Sequence, residues 1–210
     1  MSESNNYSDT YLDLLICAFE RSRLLGFGSD PGVTAAANID QDVLNSLQKY
    51  IYDEMCPLLF SFFPAYWGNS CQILSAHTYA ILRAKGFDAE LIIGDVNVNG
   101  TQEFDTSVDD LHSEMNSVEM QSRGQELHVW VSLGADIILD CGLPDRMIRR
   151  YNFPERYMPP IMIDTASNLT KKFRTRHQPL VIGTHFLKKT NGLDTNDLVK
   201  HYRTQFGLAL

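Results

Sequence analysis

LHVWVSLGADIILDCG, residues 127–142, is the stretch on which the fold turns. Two runs rich in β-branched and aromatic residues flank Leu133-Gly134-Ala135, a short connection with glycine where a left-handed residue is wanted. That is the pattern of a β-hairpin. Side chains alternate along a strand, so Leu127, Val129 and Val131 share one face and His128, Trp130 and Ser132 the other. On the returning strand Asp136, Ile138 and Asp140 share a face. With the loop at 133–135, Ser132 opposes Asp136 and His128 opposes Asp140. Directly opposed Cβ atoms lie ~4.5–5.5 Å apart, close enough for a carboxylate to accept from an imidazole N–H. A slip of one residue would put the pair on opposite faces.

Working outward, WGNSCQILSAHTYAILRAKGFDAELIIGD (67–95) predicts a helix and then a strand. Ser70 stands at the cap and Cys71 heads the helix. It runs through Leu74, Thr78, Ile81 and Leu82 to Gly86, a residue suited to the position past a helix end. Ala89, Leu91 and Ile93 then lie along one face of a strand. Most intracellular cysteines are small inert core residues. A cysteine attacks as thiolate, and a helix N-terminus favours that anion through its unpaired N–H groups and dipole. The Cys71 N–H also points where an oxyanion would form. A nucleophilic cysteine needs a base, and the base needs a group to fix its tautomer. His128 and Asp140 fit those two roles. Cys17 and Cys56 lie among apolar helical neighbours and read as inert, while Cys141, beside Asp140, is left open.

At this point the chain resembles the transglutaminase-like branch of the papain-like cysteine enzymes. The resemblance rests on Cys71 at a helix start, LRAKGFDAELIIG (82–94), His128-Val129-Trp130-Val131, and Asp140 on the next strand. It covers about residues 67–145. It implies a papain-like fold, with a central helix carrying the cysteine packed on an antiparallel sheet. Cys71 would attack a carboxamide or ester carbonyl, His128 would protonate the leaving group, and Asp140 would orient the imidazole. WGNS departs from the glycine-then-Cys-Trp start common in that family, and Gln72 stands where the tryptophan often is. The second oxyanion donor is therefore sought at Trp67 or Asn69, with Gln72 and Trp130 as further walls of the site. The arylamine N-acetyltransferases are similar in their Cys, His, Asp order, and DCGLPD (140–145) is similar to their Asp-x-Gly segment.

The rest of the chain supplies the frame. Ser8 caps a first helix at 8–23 with Leu12, Leu15, Ile16 and Phe19 as its apolar stripe, and GFGSDPG (26–32) is a loop. A second helix starts at Asp40, buries Val43, Leu44, Leu47, Ile51 and Met55, and is disturbed or ended by Pro57. Residues 97–125 form a polar, acidic excursion that includes His112. His77 reads as a helix-face residue and KKFRTRH (171–177) as solvated surface. PLVIGTHFL (179–187) reads as a strand, and Asp194 or Thr195 caps a last helix through Leu198, Tyr202 and Phe206.

The 210 residues, 44% hydrophobic and 21% charged, suit one soluble α+β domain. Its parts are a helical region (1–66), a catalytic core (67–145) and a C-terminal strand and helix (146–210). Net charge of −8 argues against nucleic acid as a ligand. No membrane span or signal peptide is read in the chain, and four cysteines without a CxxC pair favour a reducing, cytoplasmic setting. No zinc-type ligand spacing, Walker A motif or strand-borne GxGxxG occurs, so no metal and no cofactor are expected. The expected activity is acyl transfer on amide bonds through a thioester: peptidase, deamidase or transglutaminase. A protein or peptide substrate is expected, with a small-molecule amide or amine as the other possibility. Acetyl transfer from acetyl-CoA and a non-catalytic binding module are the alternatives.

Overall fold

The structure is a computed structural model that describes residues 6–27, 39–64, 67–117 and 126–208. The first half runs α1 (Tyr7–Leu24), α2 (Gln41–Tyr50), α3 (Cys56–Phe62), α4 (Cys71–Ala84), β1 (Ala89–Val98), β2 (Thr101–Gln102) and α5 (Val108–Met115). It continues β3 (His128–Leu133), β4 (Ile137–Asp140), α6 (Leu143–Tyr151), β5 (Met162–Thr165), α7 (Ala166–Phe173), β6 (Thr175–Ile182), α8 (Thr184–Asn191) and α9 (Thr195–Gln205). The strands form one curled antiparallel sheet in the order β6-β1-β3-β4-β5, with β2 a short return against the end of β1. The fold is α+β. Among the described residues no helix is long and apolar enough to cross a membrane.

Each face of the sheet carries its own apolar cluster. Leu91, Ile93, Val129, Val131 and Leu139 pack with Leu74 and Ile81 of α4 on one face. Ile92, Trp130 and Ile138 pack with Tyr11 and Leu15 of α1 and Leu169 of α7 on the other. Covered on both sides, β1 is buried along nearly its whole length, Glu90 and Asp95 included, and extends to Val98. The polar excursion therefore begins only at Asn99 and Gly100, both at positive φ (54° and 91°), and it includes α5. Residues 118–125 of that excursion lie outside the described residues.

Several local expectations are corrected. The buried stripe of α1 is Tyr7, Tyr11, Leu15, Ala18 and Ser22, while Ile16 is exposed. The tyrosines win because their hydroxyls find partners in the core: Tyr7 Oη donates to His177 O at 2.7 Å, and Tyr11 Oη donates to Ser132 Oγ at 3.1 Å. Asn6, not Ser8, occupies the N-cap position, and Ser8 instead exchanges backbone bonds with Ser167. At Pro57 the helix is disturbed, as expected, and not stopped: a π-helical turn (Ile51–Met55) precedes it and Pro57 falls in the first turn of α3, where its missing N–H is tolerated. Val43, expected inside, is exposed. The segment 179–187 is half strand and half helix, because α8 starts at Thr184.

One approach in the sheet requires glycine. A Cβ on Gly94 would lie 2.1 Å from Gln178 O and 2.8 Å from Trp130 Cη2. Next to it, Ile93 pairs Val181 and Gly94 pairs Pro179, so Leu180 is an extra residue, a β-bulge. The freed Leu180 carbonyl accepts from Arg21 Nη1 at 2.9 Å. Gly94→Ala must push β6 or Trp130 aside. It is expected to lower unfolding free energy by about 1–3 kcal/mol or more, read as a fall in the urea midpoint at unchanged slope.

Candidate active site

Cys71 is the first residue of α4, with Ser70 at the N-cap position and a 3-10 turn (Trp67–Asn69) leading in. That turn is pinned from outside the helix. Trp67 N donates to Asp145 Oδ2 at 2.8 Å, and Ser70 N donates to Trp67 O at 2.9 Å. The Cys71 side chain is 8% exposed and its thiol lies 3.8 Å from Leu127 O, at the foot of β3. It opens onto a cleft of about 990 Å³ whose walls include Asn69, Gln72, Phe104, Arg146 and Asn191.

The hairpin carries the other half. Its observed pairs are Val131–Leu139, Ser132–Ile138 and Leu133–Ile137, so the loop is Gly134-Ala135-Asp136. This is two residues from the expected register. A two-residue offset preserves the face, and Trp130 rather than His128 falls opposite Asp140. His128 reaches the carboxylate diagonally, with Nε2 2.6 Å from Asp140 Oδ2.

Asp140 is held by four donors. Oδ1 accepts from Gly142 N at 3.0 Å and Leu143 N at 2.9 Å, which caps the start of α6. Oδ2 accepts from His128 Nε2 and, at 2.8 Å, from His177 Nε2. All three side chains are essentially sealed from solvent. Burial alone would push the Asp140 carboxyl up, but the two imidazoles on it hold it well below the usual carboxylate range. Burial works against a charged His128 too. The Asp140 charge and hydrogen bond, with Cys71 beside the ring, outweigh it and raise His128 to about 10. His177 goes the other way: burial lowers its pKa more than Asp140 raises it. The cluster is thus an imidazolium, a carboxylate and a neutral imidazole. The three ligand atoms lie within 4.8 Å of one another, a spacing compatible with a metal ion, yet both nitrogen–oxygen contacts are at hydrogen-bond length.

With Nε2 committed, the other nitrogen of His128, Nδ1, is buried without a close hydrogen-bond partner among the described residues, and Cys71 is the side chain beside the ring that acts on it. Cys71 and His128 both border Gly142. A Cβ there would lie 2.9 Å from Cys71 Cβ and 3.5 Å from His128 Cε1, so both residues crowd the same point. Gly142→Ala is expected to force Cys71 and His128 apart, costing about 1–3 kcal/mol of stability and slowing alkylation of Cys71 by iodoacetamide.

The two tryptophans lie apart from the cleft. Trp130 is fully buried behind the histidines, 5.8 Å from the His128 ring and 5.1 Å from His177, and its Nε1 donates to Tyr11 Oη at 2.9 Å. It is backing, not a wall of the cleft. The Trp67 indole N–H donates to Phe63 O at 2.7 Å and its ring stacks on Phe60, so that N–H is no oxyanion donor. Asn69 and Gln72 do line the cleft, and Gln72 Oε1 accepts from Asn191 Nδ2. Cys141 faces Thr78 Oγ1 at 3.3 Å, away from Asp140, and burial pushes its thiol up. His77 is bonded to Tyr202 Oη at 2.7 Å, and His112 is exposed on α5.

Two contributors escape the sequence. His177 sits inside the stretch that reads as solvated charge. Phe104, inside the acidic excursion, stacks flat on His128 at 4.7 Å and 12°, with the Arg146 guanidinium 4.5 Å over its ring. Arg146, Arg150 and Tyr151 all bond the buried Glu103. The alternation of buried Thr175, His177 and Pro179 is the one signal that could have found His177.

No family model, curated protein or solved structure matches the chain. What the site can do is set by its own geometry.

The charges of the cluster make stability depend on pH in two opposite directions. His128 has a higher pKa folded than unfolded, so its contribution is complete below about 6.5 and lost as pH rises through about 10. For His177, lowered on folding, the contribution is present above the ordinary value of 6.5 and lost as pH falls. Asp140, also lowered, contributes above about pH 4 and loses that contribution only at strongly acid pH. A urea midpoint that declines between pH 7 and pH 10, and a flatter decline in His128→Gln, are the expected results.

Proposed function

We propose that the chain is a cysteine-dependent acyl-transfer enzyme of the papain-like, transglutaminase-like kind, acting on amide bonds through a thioester. One observation carries this: a buried imidazole has one nitrogen fixed on a carboxylate, and its other nitrogen, beside a helix-heading cysteine, is without a close hydrogen-bond partner among the described residues. A helix carrying the cysteine against an antiparallel sheet is also the arrangement that the resemblance implies.

In the proposed cycle Cys71 Sγ attacks the carbonyl carbon and the C–S bond forms. The Cys71 N–H, at the helix start and without an acceptor within the helix, faces the developing oxyanion. His128 gives its Nδ1 proton to the leaving nitrogen, the C–N bond breaks, and the amine departs. Water or a second amine then attacks the thioester and loses its proton to Nδ1, the C–S bond breaks, and the Cys71 thiolate leaves beside the restored imidazolium. Which acceptor resolves the thioester separates hydrolysis from transamidation. A protein or peptide glutamine or backbone amide is the proposed substrate class.

p-Nitrophenyl acetate tests this without knowledge of the substrate. The expected result is a burst of nitrophenolate and one acetyl group on Cys71 by peptide mass mapping, with little acylation in His128→Ala. Iodoacetamide should also modify Cys71 faster than it modifies glutathione at about pH 6. A Cys71 that neither acylates nor outpaces glutathione sinks the proposal.

A further inference from the structure

We infer that His177 is a positioning residue for the acyl-transfer step, fixing the shared carboxylate oxygen of Asp140 at His128 Nε2 so that Nδ1 stays directed at Cys71. This rests on the roles proposed for Cys71 and His128.

A core-filling side chain at 177 would need no hydrogen bond. His177 is instead placed with care. Its Nε2 lies 2.8 Å from Asp140 Oδ2, its carbonyl accepts from Tyr7, and Trp130 meets its ring edge-on at 5.1 Å. The placement depends on the bulge at Leu180. Val181 and Ile93 share the α4 side of the sheet, whereas His177 and Val96 share the α1 side with Trp130. An unbulged β6 in register with Ile93–Val181 would pair His177 with Asn97 and turn it to the wrong face.

The chemistry gives that second imidazole a use. When His128 passes its Nδ1 proton to the leaving group, Asp140 loses a cationic partner in a site sealed from water. Both backbone donors are on Oδ1, so among the described residues the donor left to stabilise Oδ2 besides His128 itself is the His177 N–H. That bond strengthens as His128 turns neutral, which eases proton release. It also keeps the Nε2 proton on His128, the tautomer that acyl transfer needs.

His177→Leu is expected to lower kcat for p-nitrophenyl acetate by about tenfold to a hundredfold, the worth of one hydrogen bond to a charged acceptor, with KM within about twofold. His177→Gln, whose amide N–H reaches the same place, should recover most of the rate. In 15N-histidine spectra the His128 Nε2 proton should move downfield in His177→Leu and return in His177→Gln. If His177→Leu does not fold, His177→Asn, too short to reach Oδ2, takes its place with the same expectations. Equal rates in the donor-lacking variant and the wild type, or a rate loss that glutamine does not repair and an unmoved His128 proton, overturn the role. A wild-type Cys71 that never acylates brings down acyl transfer itself, and His177's role with it. Acylation of the wild type and of His177→Leu at one rate brings down His177 alone.

Discussion

Cys71→Ala is expected to lower kcat/KM for acyl transfer by roughly 10⁴-fold or more while leaving the fold in place. The magnitude follows from what removing a nucleophile costs enzymes whose catalytic groups act as a unit. Cys17 is exposed on α1, and Cys56 and Cys141 are buried with their thiols pushed up, so none can substitute for it at the cleft. Truncation removes the sulfur's contacts with Leu127 O, at 3.8 Å, and with the His128 ring. Cys71→Ser should be nearly as inactive, since a hydroxyl is a poor nucleophile beside an imidazolium. The check is nitrophenolate burst amplitude alongside a thermal melt. More than about a tenth of wild-type turnover in Cys71→Ala would exclude this thiol as the nucleophile.

Asp140→Ala should give the largest loss of stability. It strips the acceptor from two imidazoles and two backbone N–H groups in a site sealed from solvent. Removing one partner of a buried ion pair costs about 3–5 kcal/mol, and each further orphaned donor adds to that. Asp140→Asn keeps one acceptor oxygen but turns an NH₂ toward a donor, so it should be damaged less in stability and as much in turnover. Urea unfolding at pH 7 with a constant slope measures the difference. An Asp140→Ala chain within about 1 kcal/mol of the wild type would show that the four contacts are not what holds this corner.

The sequence shows the His128–Asp140 pair because strand alternation has a period of two. An even error in register, such as the two-residue offset here, moves neither side chain to the other face. Cys71 is legible for a similarly local reason: a helix start is marked by its cap position and its glycine end, and Gly86 does sit at positive φ. What fails depends on partners distant in the chain. Tyr11 lies in the core where Ile16 does not because its hydroxyl accepts from Trp130 Nε1 and donates to Ser132 Oγ. The Trp67 indole is consumed by Phe63 in a turn whose geometry no motif announces. His177 is hidden twice, once by its basic neighbours and once by a bulge that resets the alternation midway along β6.

The bulged strand also sets a clock. The donors to Asp140 come from residues 128, 142–143 and 177, so a chain emerging from the ribosome can close the hairpin and the α6 cap well before β6 exists. Until residues 175–182 dock, β1 keeps a bare edge and the carboxylate is one donor short. Docking of β6 is therefore the step that gives Asp140 its last donor and covers the open edge of β1.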